Sequence, residues 1–530
     1  MNAALRRADW RFLLPGPVDG ARYRHAVLLG GPQGLAELLR DEELADRIDT
    51  GPATGADLVV ALADASIGPG ELAACAAPGG VVYREVDRRR PGSLTTTPAR
   101  MNRELAASGL HPLWSHWVIP EFSQARRYLP LDHADALRWY FGTLHPAGSV
   151  PGALAAAVAR LLVRGEAKGL AAVVPTFGIT AVAGPTRAGD QTDLPVLPAE
   201  LRVPGNRVVM LTSGQDDGSR VVLLPFTARS LAPEAVVKIS RTERFNAHTE
   251  REQATLAAIR SGLDADLVGS IPEPRGTTRF GRSLVALESY APGASMVRST
   301  GRRGEPLERS LEDLRVAADW LARFHQQTRA SSVWSADSAD RAVARLEAFR
   351  ARLTISPAEH GLLDRSAEAA RALVGASLPT VLAHNDYGPW NIHREGDRIT
   401  VIDWELGPDE AGRRGPALAD LLYFVTEWHL RARRLRGREA ELRGFRELFL
   451  RPTGPAAAAA AEAVSDYMRR VGVDSRFLPL LLVTTRADRA VDRADRQVTA
   501  TGSASGENRY ADYVRLITAE ADERFWGGAR

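Results

Sequence analysis

Apolar positions follow two rhythms along this chain. Through the first 190 residues, short apolar runs alternate with amphipathic stretches. Residues 22–30, RYRHAVLLG, end in a strand pattern, and Gly30-Gly31-Pro32-Gln33-Gly34 leads from it into a helical LAELLRDEELA. ADLVVAL at 56–62 predicts a buried strand, 70–77 a helix, Pro78-Gly79-Gly80 a turn, 81–86 another strand, and 98–108 a helix. A strand, a glycine turn and a helix open a nucleotide-binding α/β unit. Beyond them lie the aromatic segment PLWSHWVIPEF, helices near 132–145 and 150–164, and an apolar strand over 170–182. Trp114, Trp117 and Phe122 either line a pocket or pack a core.

A polar, proline-bearing stretch at 186–202 marks a domain boundary. After it, strands at 207–211 and 220–225 flank the turn TSGQDDGS, and AVVKI at 235–239 predicts a third strand. A helix over 248–261 precedes the strand LVALESY, which ends at Tyr290. Helical periodicity then dominates, over 309–327, 335–376 and most of the chain after 410, with the Ala-rich 456–467 read as helix or poorly ordered loop. The expected division is an α/β domain at 1–190, a linker at 191–203, a strand-rich lobe at 204–294 and a helical lobe at 295–530.

The chain has 530 residues, 45% hydrophobic and 25% charged, which is ordinary globular chemistry spread over more than one core. A net charge of +3 is near balance. The arginine runs at 88–90 and 431–438 sit among acidic or helical neighbours and read as solvated surface, so no nucleic-acid partner is expected. The single cysteine, Cys75, rules out a disulfide within the chain and a cysteine-based zinc site. No run of about 20 apolar residues predicts a membrane span, and the N-terminus carries no signal-peptide pattern. A cytoplasmic location is the expectation. Of 68 basic residues only two are lysines, Lys168 and Lys238, and Lys238 stands in an apolar strand.

The chemistry concentrates in His384-Asn385-Asp386-Tyr387-Gly388-Pro389-Trp390-Asn391, followed 12 residues after Asn391 by Asp403 in VIDWE. This stretch resembles the aminoglycoside phosphotransferase-like family, relatives of choline and protein kinases, over roughly Arg207 to Trp526. The resemblance implies ATP and Mg²⁺ as cofactors and a bilobal kinase-like fold. Physical chemistry agrees with it. Phosphoryl transfer needs charge neutralised on oxygens held in line, and Mg²⁺ takes oxygen ligands. Asp403 offers a carboxylate and Asn391 an amide oxygen, while Asp386 accepts or orients the acceptor hydroxyl's proton.

By the same resemblance His384 supports the loop backbone, and Asp420 holds that loop through backbone N–H groups. Glu405 is a second metal ligand or a structural carboxylate. Lys238 corresponds to the lysine that holds the α- and β-phosphates, with Glu252 as its partner and Glu250 as the near alternative. Gly214 and Gly218 would let their turn lie close over phosphates. Glu288-Ser289-Tyr290 resembles the hinge that binds adenine through backbone groups. Taken alone, HND followed by an asparagine also suits a capped turn. Trp390 and Trp404 are expected as packing wedges, and His325 as a core residue.

VLLGGPQG, ADLVVAL and APGGVVYREV resemble class I SAM-dependent methyltransferases. The 22 residues between Gly34 and Asp57 leave room for one helix and a connector, with space for at most one very short strand, so the adenosine-binding wall of that family is expected to be missing. The whole is thus expected as α/β plus α+β: an incomplete Rossmann-like domain, suited to scaffolding or contact with a protein partner, then a kinase-like domain acting on a small hydroxylated molecule. The competing expectation is a non-catalytic nucleotide-sensing or assembly protein.

Overall fold

The computed structural model describes residues 6–16, 22–144, 168–184, 194–202, 207–212, 220–228, 230–302, 304–404, 414–501 and 507–526. The chain divides into two compact units, Met1–Ala257 with Glu273–Tyr290, and Ala258–Pro272 with Ala291–Arg530. Both are mixed in secondary structure, strands prevailing in the first and helices in the second.

The first unit is organised on one twelve-stranded sheet. Its strands are β1 (Tyr23–Leu29), β2 (Ala45–Asp49), β3 (Ala56–Ala61), β4 (Ala76–Asp87), β5 (Leu110–Ile119), β6 (Arg127–Pro130), β7 (Thr176–Ala183), β8 (Arg207–Leu211), β9 (Val221–Phe226), β10 (Ala235–Ile239), β11 (Pro274–Phe280) and β12 (Ser283–Ser289). The order is β11-β12-β10-β9-β8-β6-β5-β7-β4-β3-β1-β2. β2, β1, β3 and β4 run parallel, and the pairings from β4 through β7, β5 and β6 to β8 and beyond are antiparallel. Along β1, Val27 and Leu29 enter one core cluster while Ala26 and Leu28 enter the other, as a strand covered on both faces requires.

Several expectations change here. The sheet continues across the 191–203 boundary, because β6 pairs with β8 through Arg127↔Leu211 and Tyr128↔Met210. Leu194, Val196 and Leu197, from the expected linker, are buried in the same core cluster as Leu58 and Val237. The very short strand for which the interval from Gly34 to Asp57 left room is present, and it ends on an acidic residue: β2 stops at Asp49, whose carboxylate lies 3.0 Å from His25 Nε2 and also binds Arg47. Five residues suffice for it because helix Leu35–Asp41 is only two turns long. Pro78-Gly79-Gly80 is not a free turn but lies within β4, where the register jumps from Ala56↔Ala76 to Leu58↔Val81. A side chain at Gly80 would place Cβ 2.7 Å from the Ala56 carbonyl oxygen, so the backbones meet too closely for any other residue. Trp114 and Phe122 belong to the packed core, and Trp117 is partly buried against the cluster on the other face. The helix expected at 150–164 lies outside the described residues.

The amino-terminal segment is buried against this sheet. Asp9 meets Arg241, just beyond β10, at 3.1 Å, and both are essentially solvent-free. Arg241 also donates to the Thr212 carbonyl (2.9 Å), and Arg11 donates to the Arg241 carbonyl (2.6 Å).

In the second unit, helices Leu307–Thr328, Ala336–Arg352, Pro357–Ala372, Ala419–Ala432, Gly454–Val471, Phe477–Thr501 and Arg509–Glu520 surround a core of Leu346, Phe349, Leu362, Phe445, Ala487 and Tyr513. Their ends are set by local chemistry. Ser335 and Ser356 cap the second and third of these helices, Ser356 reciprocally with Glu359, and Gly472 at φ 82° closes the fifth. Two small sheets, β13 (Ala294–Ser295) with β16 (Ile392–Glu395) and β17 (Arg398–Val401), and β14 (Ser331–Val333) with β15 (Ser377–Leu382) and β18 (Arg414–Pro416), carry the motif loop. Among the described residues no helix is long and apolar enough to cross a membrane.

Candidate functional site

The residues singled out in the sequence fall into two groups, one in each unit. In the second unit, β15 delivers the chain into His384, and the hairpin β16–β17 returns it to Asp403. Asp420 opens helix Ala419–Ala432 and accepts the backbone N–H of His384 (2.7 Å) and of Asn385 (2.9 Å) on its two oxygens. His384 spans the loop from inside, its Nε2 2.9 Å from the Ile402 carbonyl. The Ile402 N–H donates to the Asn391 carbonyl (2.9 Å), which sets Asp403 beside Asn391. Asn385, Asp403 and Leu418 hold positive φ angles of 63°, 68° and 84°. Asparagine and aspartate tolerate such angles better than most residues, whereas leucine does not, so the strain sits at Leu418, where helix Ala419–Ala432 begins.

Three donors converge on the half-buried Asp386 carboxylate. Trp390 Nε1 reaches Oδ2 at 3.0 Å, Asn391 Nδ2 reaches Oδ2 at 2.9 Å, and the Tyr423 hydroxyl reaches Oδ1 at 3.0 Å. Asn391 Nδ2 also donates to the Asp386 carbonyl (3.0 Å), so its NH₂ group is engaged by Asp386 and its amide oxygen takes no part in these bonds. Trp390 is therefore more than a packing wedge. Trp404 is one, buried 4.6 Å from the His384 ring and 5.3 Å from Phe324. Tyr423 was missed in the sequence. Its only signal is the three-residue step from Asp420, which puts both on one helix face.

Burial holds the His325 and His429 imidazoles, each essentially without solvent, down to about 4, against the opposing pull of Asp420 and of Glu447. An unfolded histidine takes its proton near pH 6.5. The unfolded chain therefore binds more protons between pH 6.5 and 4, and stability falls as pH drops through that window. For His325 the full effect is roughly 3 kcal/mol. Urea unfolding midpoints should fall between pH 7 and 4.5, and His325→Gln should flatten that fall. Equal slopes in both proteins would remove His325 as the cause.

In the first unit, Lys238 lies on β10 opposite Ala286 and Val222. Its Nζ is 2.6 Å from Glu252 Oε1 and 3.0 Å from Glu288 Oε2. Glu252, fully buried on helix Asn246–Ser261, also binds Arg220, whereas Glu250 is exposed. Gln253 donates to Glu288 Oε1 (2.7 Å). Glu288 thus turns its side chain to the lysine, and the Tyr290 hydroxyl accepts from Trp139 Nε1 (3.0 Å). Arg220 was not foreseen. It stands two residues before Val222, on the Lys238 side of the sheet, a relation visible only once the strand register is known. Gly214, Gly218 and Glu405 lie outside the described residues.

Among the described residues no set of three or more His, Cys, Asp or Glu side chains is arranged to hold a metal ion. The backbone bond from Ile402 to Asn391 brings the segments carrying Asn391 and Asp403 together, and both residue types bear the hard oxygens that Mg²⁺ accepts.

Residues 218–460 match the Phosphotransferase enzyme family. The resemblance read from the HND loop and its partner aspartate is borne out over that region, which holds both the lysine and the aspartate groups. No curated protein matches the chain. Among solved structures, a glucosamine kinase is 15% identical, with 60% of this chain and 90% of its own covered and a TM-score of 0.34. A choline/ethanolamine kinase family protein from Mesorhizobium loti gives 15%, 60%, 89% and 0.34 on the same measures. An aminoglycoside phosphotransferase from Streptomyces rimosus, solved with ADP and streptomycin, gives 15%, 58%, 94% and 0.28.

Proposed function

We propose that the phosphotransferase region is an ATP- and Mg²⁺-dependent kinase that moves the γ-phosphoryl group to a hydroxyl of a small molecule. The observation that carries this reading is the fixed Asp386 carboxylate, beside a loop that sets Asn391 and Asp403 next to each other. The acceptor oxygen attacks the γ-phosphorus, the bond to the β–γ bridging oxygen breaks, and ADP leaves. Asp386 takes or orients the hydroxyl proton. Bound Mg²⁺ would neutralise phosphoryl charge, with Asn391 and Asp403 as its protein ligands. Lys238, steadied by Glu252 and Glu288, holds the α- and β-phosphates. The backbone of Glu288–Tyr290 takes the adenine, Gly214 and Gly218 cover the phosphates, and Glu405 adds a carboxylate near the metal.

The N-terminal residues act in this reading as a Rossmann-like scaffold for the lysine sheet, which the β6–β8 pairing supports. Their glycine turn is occupied from within, since the Gly31 N–H lies 3.0 and 2.9 Å from the two oxygens of Asp64. A cytoplasmic protein would meet both substrates.

The test is transfer of label from γ-labelled ATP into a panel of hydroxylated metabolites. Label should enter an acceptor with Mg²⁺ present, stop with excess chelator, and resume when Mg²⁺ is restored. ATP binding with no transfer to any acceptor would favour the nucleotide-sensing alternative.

A further inference from the structure

The two rings that hold Asp386 each carry an arginine on their face. The Arg431 guanidinium lies 5.5 Å from the Trp390 ring centre, and the Arg489 guanidinium 3.5 Å from that of Tyr423. Arg489 also donates to the Asn385 carbonyl at 2.5 Å, so it is tied to the same loop. One turn earlier on helix Phe477–Thr501, Arg486 is fully buried and donates to the Leu422 carbonyl (3.0 Å) and Thr426 Oγ1 (2.6 Å). Burial holds it below the usual guanidinium range, at about 10.

The carboxylates near this array compensate it only in part: Glu427 attracts Arg431 and Arg486 while bound elsewhere, and Asp492 attracts Arg489. Glu427, one turn from Tyr423, is bound to Arg509, and Glu441 faces Arg509 at 3.9 Å. Asp512 is shared by Arg438 (2.7 Å) and Arg515 (2.9 Å), and Asp488 pairs with Arg345 (3.2 Å). Among the described residues, Arg431 Nε and both Nε and Nη1 of Arg486 are buried without a hydrogen-bond partner. Arginine is costly to desolvate without a counter-ion, and its planar fork matches a carboxylate or phosphate. An ammonium ion brought to the same place would meet like charge.

We propose that the acceptor is an anion: a hydroxylated small molecule whose carboxylate or phosphate ester is taken by Arg431 and Arg489 while its hydroxyl faces Asp386. This rests on the phosphotransferase reading for the hydroxyl's role, but the anion site stands or falls by itself. The arginine run at 431–438 is on this view not simply solvated surface, because its first member closes over the Trp390 ring.

Calorimetric titration of the full chain without nucleotide, at fixed ionic strength, tests it with gluconate, glycerol 3-phosphate, choline and glucosamine. Gluconate or glycerol 3-phosphate should bind at least about tenfold more tightly than either amine, the equivalent of one charge-assisted hydrogen bond. The tighter of the two anions identifies carboxylate or phosphate as the recognised group. Arg431→Gln and Arg489→Gln should each raise that Kd by about tenfold or more, while a variant away from the loop, Arg469→Gln, should not. Tighter binding of choline or glucosamine, no binding of either anion, or affinity unchanged in both glutamine variants would overturn the proposal. Anion binding without any label transfer from ATP would instead sink the kinase reading and leave the anion site in place.

Discussion

Asp386→Asn is expected to lower kcat by about 10²–10⁴-fold, the usual contribution of a positioned general base, with KM for ATP nearly unchanged. Asparagine keeps the size of the side chain and an oxygen for one donor, so the loop should stay folded. It cannot take a proton, and its NH₂ group would confront one of the three donors that converge on the carboxylate, from Trp390, Asn391 and Tyr423. The nucleotide contacts proposed for Lys238, Gly214, Gly218 and the backbone of Glu288–Tyr290 do not involve the Asp386 side chain. The measurement is steady-state ADP formation with a saturating acceptor, beside ATP titration calorimetry. A variant that keeps more than a tenth of the wild-type rate would mean that Asp386 only shapes the loop. Equal losses in kcat and ATP affinity would point to a collapsed site.

Arg241→Ala should destabilise the first unit by about 3–5 kcal/mol, because it strands a buried carboxylate. Asp9 has no solvent exposure, and Arg11, a second cation near it, stands farther off at 3.9 Å. The same change orphans the Thr212 carbonyl, which accepts from Arg241 at 2.9 Å. Combining Arg241→Met with Asp9→Leu should recover most of the loss, since paired apolar replacements of buried ion pairs are often neutral. Arg11 would then keep Glu42 at 3.7 Å. Urea unfolding followed by near-ultraviolet circular dichroism reads the effect on the first unit's transition. A cost below about 1 kcal/mol, as for an exposed pair, would show that water reaches Asp9 in solution.

Local chemistry made half of the site legible in the sequence. The loop from His384 to Asn391 and the strand into Asp403 are close in the chain, joined by a hairpin of eight paired residues whose register follows from its turn. Residues so close have few ways to meet, so spacing alone indicates which groups converge. Lys238 was conspicuous for a different reason: in a chain with two lysines, one within an apolar strand stands out.

The rest depended on contacts between distant parts of the chain. Tyr423 reaches Asp386 across 37 residues, and Arg241 reaches Asp9 across 232. Glu288 shows the same limit: its place in LVALESY suggested a backbone hinge, but strand register turned its side chain to Lys238. Periodicity found most strands of the first unit but not that β6 would pair with β8, which joins the two expected domains into one sheet. The sequence by itself determined the elements, the motif loop and the kind of chemistry it suits. Tertiary structure alone decided the sheet order, the second cation on Glu252, and the arginines over Trp390 and Tyr423. Hydrophobic period and turn residues report each element's own preference, whereas pairing between elements depends on which faces the folded chain buries together.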